Sequence, residues 1–151
     1  MEELTKGAGS TFKCKSSSVL NKSADFSASN MFLDDDSCWN SDGGGEGGQW
    51  LLFDFLGRKV EVKRVCIMFQ GGFVGQEGAI ETKNSKNGEA ETTIVMDEIR
   101  RIEDSNDLQQ WDIPESSLCN GSFIKISFPS STDFYGRVTI YKLSLWGRYV
   151  D

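Results

Sequence analysis

Between Met31 and Trp50 the chain gathers the residue types best suited to gripping another molecule. Asp34, Asp35 and Asp36 make an acidic turn, Trp39-Asn40-Ser41-Asp42 follows, a glycine loop runs from Gly43 to Gly48, and Trp50 opens an apolar strand. Indoles stack, amides and carboxylates hydrogen-bond, and glycine lets a backbone come close. That is the chemistry of recognition. For catalysis the chain is poorly equipped. It has no histidine, which removes a Ser-His-Asp triad and a Cys-His pair. The glycine loop leads into Gln49-Trp50 and not into Lys-Ser or Lys-Thr, so it is no Walker loop. Acidic residues are plentiful, but no spacing marks out a general acid-base pair, and a carboxylate hydrolase stays an alternative without a motif.

What must position these groups follows from size and pattern. At 151 residues the chain suits one domain with a real core. Its 38% hydrophobic and 26% charged content belongs to a folded globular protein, and no apolar run reaches membrane-spanning length. The formal charge of -7 lacks the basic footprint of phosphate binding, which argues against a nucleic-acid partner. Residues 1–11 read as a mobile polar tail with no secretory h-region, and residues 12–151 as a single domain. Cys14, Cys38, Cys66 and Cys119 are dispersed, with no CxxC pair. They read as reduced thiols of the nucleus or cytoplasm, not as a zinc site.

Short apolar runs between Gly, Asn, Asp and Ser clusters predict an all-β protein. Gln49 to Phe55 is apolar on both parities, as in a strand buried on two sides. Val60 to Gln70 puts Val65, Ile67 and Phe69 on one face. In 122–128, Ile124, Ile126 and Phe128 point inward. From Arg137 to Trp146 the apolar parity shifts, which calls for a bulge near Tyr141-Lys142. Residues 96–107 are expected to be a strand running into an irregular loop, and 83–91 a polar turn between strands. The glycine loop itself reads as a flexible hairpin connection.

These residues carry a resemblance. The order acidic turn, Cys-Trp-Asn-Ser, Gln-Trp, apolar strand and C-terminal Trp146-Gly147 resembles the discoidin or coagulation-factor type C domains of the galactose-binding-like superfamily. Ser17 to Asn21, the step from Cys38 to Asp42, Phe69-Gln70-Gly71-Gly72-Phe73 and the run from Thr132 to Tyr141 are similar to those of small intracellular proteins associated with an orphan nuclear receptor, the testicular receptor. The likeness spans about residues 16–148. It implies an eight-stranded antiparallel jelly-roll β-sandwich, no enzymatic activity, no cofactor, no membrane, and a protein partner such as a nuclear receptor, with a role as adaptor or transcriptional co-regulator. A sugar-binding, lectin-like module is the alternative.

By the same resemblance three connections gather at one end of the sandwich. They supply Trp39, Asn40 and Asp42; Gln70, Gly71, Gly72 and Phe73; and Asp133, Phe134, Tyr135 and Arg137. Gly71-Gly72 would turn the chain and project Phe73, Asp133 would cap the turn before the last strand, and Gly136 would permit its bend. Trp39 and Trp50 read either as packing or as ligand stackers. Arg137 either grips a partner's carboxylate or bridges Asp133 or Asp42. Many relatives hold a structural calcium ion at the acidic turn, and here Asp34, Asp36 and Ser37 match the first part of that pattern. The distant carboxylate is replaced by Lys142, whose ammonium would repel the ion and could pair with Asp34 or Asp36. The reading is therefore no metal. The disulfide that ties the ends of secreted discoidin domains has no second cysteine after Trp146.

Overall fold

The computed structural model describes residues 1–6, 11–44, 47–85, 92–114 and 119–150. Two antiparallel sheets face each other across one apolar core. The strands are β1 (Glu2–Glu3), β2 (Lys13–Ser16), β3 (Trp39–Asn40), β4 (Gln49–Asp54), β5 (Val60–Phe69), β6 (Gly75–Gln76), β7 (Gly78–Ser85), β8 (Thr92–Ile99), β9 (Leu108–Asp112), β10 (Cys119–Gly121), β11 (Phe123–Phe128), β12 (Ser130–Ser131) and β13 (Thr139–Tyr149). One sheet runs β1-β13-β5-β10, with β3 also on β13 and β9 also on β5; the other runs β2-β4-β11-β7-β8. A small pair, β12-β6, stands apart. The expected antiparallel all-β sandwich is what forms, with thirteen strands among the described residues, five of them only two or three residues long.

Alternation builds the core. Leu51 and Phe53 of β4, Val65, Ile67 and Phe69 of β5, and Ile124, Ile126 and Phe128 of β11 are all fully buried. Phe69 and Phe128 meet edge-to-face at 5.6 Å across the two sheets. Phe12 closes one flank, its ring 4.9 Å from Phe32 and 5.8 Å from Phe55. Burying each such ring contributes about 1.5–3 kcal/mol, and the T-shaped geometry adds to it. The parity shift of the last strand is resolved as expected. Ile140 stands opposite Phe69 and Lys142 opposite Met68, so Tyr141 is the extra residue of a bulge, and Val138, Ile140, Leu143 and Leu145 all reach the core. Residues 96–107 are the end of β8 and an irregular loop. The expected 83–91 turn begins later than foreseen: Lys83, Asn84 and Ser85 are the end of β7 and pair with Ile94, Thr93 and Thr92 of β8, and the rest lies outside the described residues.

Of the expected 1–11 tail, the first residues lie against the sandwich: Glu2 and Glu3 pair with Gly147 and Trp146, and the Leu4 amide donates to the Leu145 carbonyl at 2.8 Å. Leu4 is 1% exposed, and burying its side chain anchors this short polar stretch to the end of the sandwich. Strand β4 is buried on one face and not on two, because Trp50 and Leu52 point away from the core and remain half-buried. The glycine-rich segment does not join a hairpin, since β3 and β4 belong to different sheets.

Candidate functional site

The three predicted connections do meet at one pole. The Ser41 amide donates to the Val138 carbonyl at 2.9 Å, and the Val138 amide returns a bond to Ser41 Oγ at 2.9 Å. The Gln70 amide donates to the Thr139 carbonyl at 3.0 Å, and the Thr139 amide to the Phe73 carbonyl at 3.0 Å. Val138 and Thr139, where β13 begins, therefore stand between the other two connections and bond to both.

Residues Asp133 to Arg137 form the most exposed part of the pole. The Arg137 guanidinium grips the Asp133 carboxylate through two bonds, Nε to Oδ2 at 2.9 Å and Nη2 to Oδ1 at 3.3 Å, while the Arg137 amide donates to Oδ2 at 3.1 Å. The Gly136 amide closes the turn on the Asp133 carbonyl at 3.0 Å, and Gly136 takes a φ of 79° that a side chain would disfavour. The turn lifts Phe134 and Tyr135 into solvent, 92% and 65% exposed, their rings edge-to-face at 5.2 Å. Arg137 also lies between two aromatic faces, its Cζ 5.2 Å from the Phe73 ring centre and 5.5 Å from that of Tyr135. Beside this turn Gly44, Gly48, Pro129 and Tyr135 line an open cleft of about 310 Å³.

The bond from Arg137 holds the Asp133 carboxyl below the ordinary aspartate range, and the Arg137 amide adds to the effect. The same pairing raises the guanidinium further. Both groups keep their charge through neutral pH, which suits fixed recognition and not proton transfer.

The other predicted residues take different parts. Trp39 is fully buried and donates its Nε1 hydrogen to the Ser18 carbonyl at 2.9 Å; it belongs to the core and cannot stack on a ligand. Phe73 is half-buried under Arg137 and is not projected from its turn. Asn40 is half-buried and pairs in register with Thr139. Arg137 bridges Asp133 and not Asp42. The Asp42 carboxylate instead accepts the Asn21 amide at 3.3 Å, and the Asp42 carbonyl accepts from Gln49. Gly71 and Gly72 donate their amides to Asn106 Oδ1 at 2.7 Å and Asp104 Oδ1 at 2.8 Å.

Sequence reasoning missed Asp104, Asn106 and Gln49. The first two tie the loop after β8 to the turn after β5. Gln49 is 3% exposed and satisfied on both ends of its amide. Its Oε1 accepts from Ser17 Oγ at 2.6 Å and Ser18 Oγ at 2.8 Å, and its Nε2 donates to the Asp42 carbonyl at 3.0 Å. A polar residue at the start of an otherwise apolar strand was the signal that could have found it.

The acidic turn is filled by Lys142. Its Nζ donates to the Asp35 carbonyl at 2.7 Å and to the Leu33 carbonyl, so the ammonium binds backbone and not Asp34 or Asp36. The Asp35 carboxylate turns back onto the Ser37 amide at 2.9 Å and the Ser37 hydroxyl, which together hold its pKa below the usual value. No group of three His, Cys, Asp or Glu placed to hold a metal ion occurs among the described residues. Cys14, Cys38 and Cys66 are free thiols.

Comparison with known proteins bears on what this pole is. No family model matches the chain. The mouse nuclear receptor 2C2-associated protein is 38% identical over 133 residues, covering 87% of each chain. The human protein of that name is 37% identical over 136 residues, covering 89% of this chain and 90% of its own. The chain belongs to the nuclear receptor 2C2-associated protein family. Solved structures similar to this family member are more distant in sequence. A chitosan-binding module of a Paenibacillus chitosanase/glucanase superposes with a TM-score of 0.69 at 16% identity, covering 97% of this chain and all of its own (100%). The family 32 carbohydrate-binding module of Clostridium perfringens NanJ, solved with galactose, gives 0.68 at 18%, with 95% and 97% covered. An F5/8 type C domain from Bacteroides fragilis gives 0.68 at 16%, with 93% and 94% covered. At such identities the likeness establishes the fold of the family member and nothing finer. No helix among its described residues is long and apolar enough to cross a membrane.

Proposed function

We propose that this chain is a non-catalytic binding module of the nucleus or cytoplasm whose loop pole captures a protein partner, with a nuclear receptor as the first candidate and receptor co-regulation as the role. The name carried by the relatives supports the partner class. The observation that carries the reading is the pair Phe134 and Tyr135. Two adjacent aromatics stand in water on a turn that Asp133 and Arg137 hold rigid. Exposed rings on a fixed turn cost solvation until a partner covers them, and pre-ordering lowers the entropy lost on contact.

The sugar reading rested on Trp39, Asn40, Asp42 and Arg137. Burial of Trp39 removes its stacking face, and Arg137 is already engaged by Asp133. What supports it is the fold shared with sugar-binding modules.

Titration of purified nuclear receptor 2C2 against this protein tests the proposal. Phe134→Ala with Tyr135→Ala, and Tyr135→Ala with Arg137→Ala, are expected to weaken binding at least tenfold, with the far-UV spectrum unchanged. Equal affinity of both variants and the wild type overturns the assignment of the pole. Binding of galactose at millimolar concentration, lost in the same variants, replaces it with the sugar reading.

A further inference from the structure

The five-stranded sheet has an outer face that alternation alone does not explain. Trp50 and Leu52 of β4 point outward and are half-buried. Phe123 of β11 is 46% exposed and Met96 of β8 62%. Strand register places Lys15, Leu52, Lys125, Glu81 and Met96 on one line across all five strands. Trp50, Leu52, Phe123, Glu81 and Lys125 surround a groove of about 290 Å³, room enough for a large apolar side chain.

The charge around this groove runs against that of the molecule. Lys13 and Lys15 are exposed on the adjoining edge strand β2. Lys125 extends across the face, its Nζ 5.4 Å from the Trp50 ring centre and 3.9 Å from Glu81 Oε1. Two carboxylates oppose these three lysines. Asp54 accepts the Leu56 amide at 2.9 Å, and Glu81 shares Lys125 through a long, partly exposed contact. Farther along β8, Glu98 is paired with Arg100 at 2.9 Å. A chain of net charge -7 therefore presents an apolar groove with a lysine-edged rim. Such a rim favours an acidic partner, and the weak Lys125–Glu81 contact can open to a stronger carboxylate.

We propose that the outer face of the β2-β4-β11-β7-β8 sheet is a second docking surface, fitted to an acidic peptide segment that inserts one aromatic or leucine side chain between Trp50 and Phe123. Its carboxylates meet Lys13, Lys15 and Lys125. The surface shares no residue with the loop pole, so either can fail without the other.

Selection from a random peptide display library against the full chain tests this. Recovered peptides are expected to carry an aromatic or leucine anchor flanked by Asp or Glu, and to bind less tightly as salt rises. Lys15→Glu with Lys125→Glu should weaken the best peptide at least tenfold, while Phe134→Ala with Tyr135→Ala should leave it unchanged. If the charge reversal disturbs folding, Lys15→Gln with Lys125→Gln serves in its place, with a weaker loss of the same sign. Peptide binding should shift the Trp50 indole and the Leu52 and Phe123 amides in heteronuclear spectra. Peptides without acidic residues, affinity indifferent to the lysine changes, or shifts confined to the loop pole overturn the proposal. So do self-association that Phe123→Ser abolishes, which gives the face to a second copy, and chito- or galacto-oligosaccharide binding at Trp50 in place of peptide.

Discussion

The Gly44 amide donates to the Tyr135 carbonyl at 2.6 Å, and the neighbouring Gly43 packs so close that a Cβ there would stand 2.7 Å from the same oxygen. Gly43 and Gly44 thus brace the exposed aromatic turn. Gly43→Ala must push the two connections apart, because the obstructing atom is backbone. The expected cost is about 1–3 kcal/mol of stability, as for other overpacked contacts. Binding of the proposed receptor partner should weaken with it. A thermal melt beside the binding titration checks both.

Gln49 joins the segment after β2, at Ser17 and Ser18, to the connection between β3 and β4, at Asp42. Gln49→Leu keeps the volume but removes the acceptor of the Ser17 and Ser18 hydroxyl protons and one of the two side-chain donors to the Asp42 carbonyl, the other being Ser41. A loss of about 2–4 kcal/mol is expected in urea unfolding, larger than that of Ser17→Ala or Ser18→Ala alone.

Lys142 performs the joining that a bound cation could otherwise perform at the acidic turn. Lys142→Met removes the donor to the Leu33 and Asp35 carbonyls and should cost about 1 kcal/mol, since the site is partly exposed. Calcium should restore none of this, because Asp35 is turned onto Ser37. Differential scanning calorimetry with and without calcium reads the outcome.

The Asp133 carboxyl titrates below its ordinary value because Arg137 binds its charged form. A depressed carboxylate stabilises the fold at pH above its unfolded value of about 4, and that contribution vanishes as pH falls through the lower folded value. Asp133→Asn should therefore be less stable than the wild type at neutral pH, with the difference shrinking as the solution is acidified below about pH 4. Paired melts across the pH range test the sign.

Burial pushes the Cys14 thiol up to about 12 and raises those of Cys38 and Cys66 as well, with a bond from Ser144 partly opposing the shift at Cys66. Thiolate is the reactive form, so alkylation by iodoacetamide at neutral pH should be slow in the folded protein and fast in urea, with Cys14 the slowest of the three. Peptide mass mapping resolves the sites.

Much of the sandwich was legible because alternation has a local cause. Ile124, Ile126 and Phe128 point inward by the pleat alone, and the parity break between Ile140 and Leu143 could be reconciled only by a residue left out of register, which is Tyr141. The gathering of the three connections came through the family resemblance, as did the candidacy of Arg137, whose pairing alternatives stood open. Other features resist a local reading. Trp39 and Trp50 are both tryptophans beside turn residues, yet one is sealed in the core and the other faces outward. Register decided that: Trp39 stands opposite the buried Ile140, while Leu51 and Phe53 take the inward face of β4 and leave Trp50 outside.

The amino-acid order by itself determined the all-β class, the inward residues of the long strands, the bulge of the last one and the want of histidine chemistry. These depend on side-chain type and on the two-residue period of a strand. Only the tertiary structure decided that Leu4 ties the first residues to β13, that Asp133 and not Asp42 takes Arg137, that Lys142 caps carbonyls of the acidic turn, and that Gln49 ties the Ser17-Ser18 segment to Asp42. Each of these pairs residues far apart in the chain or chooses among equivalent charges, and distance in space exists only once the two sheets have closed on each other.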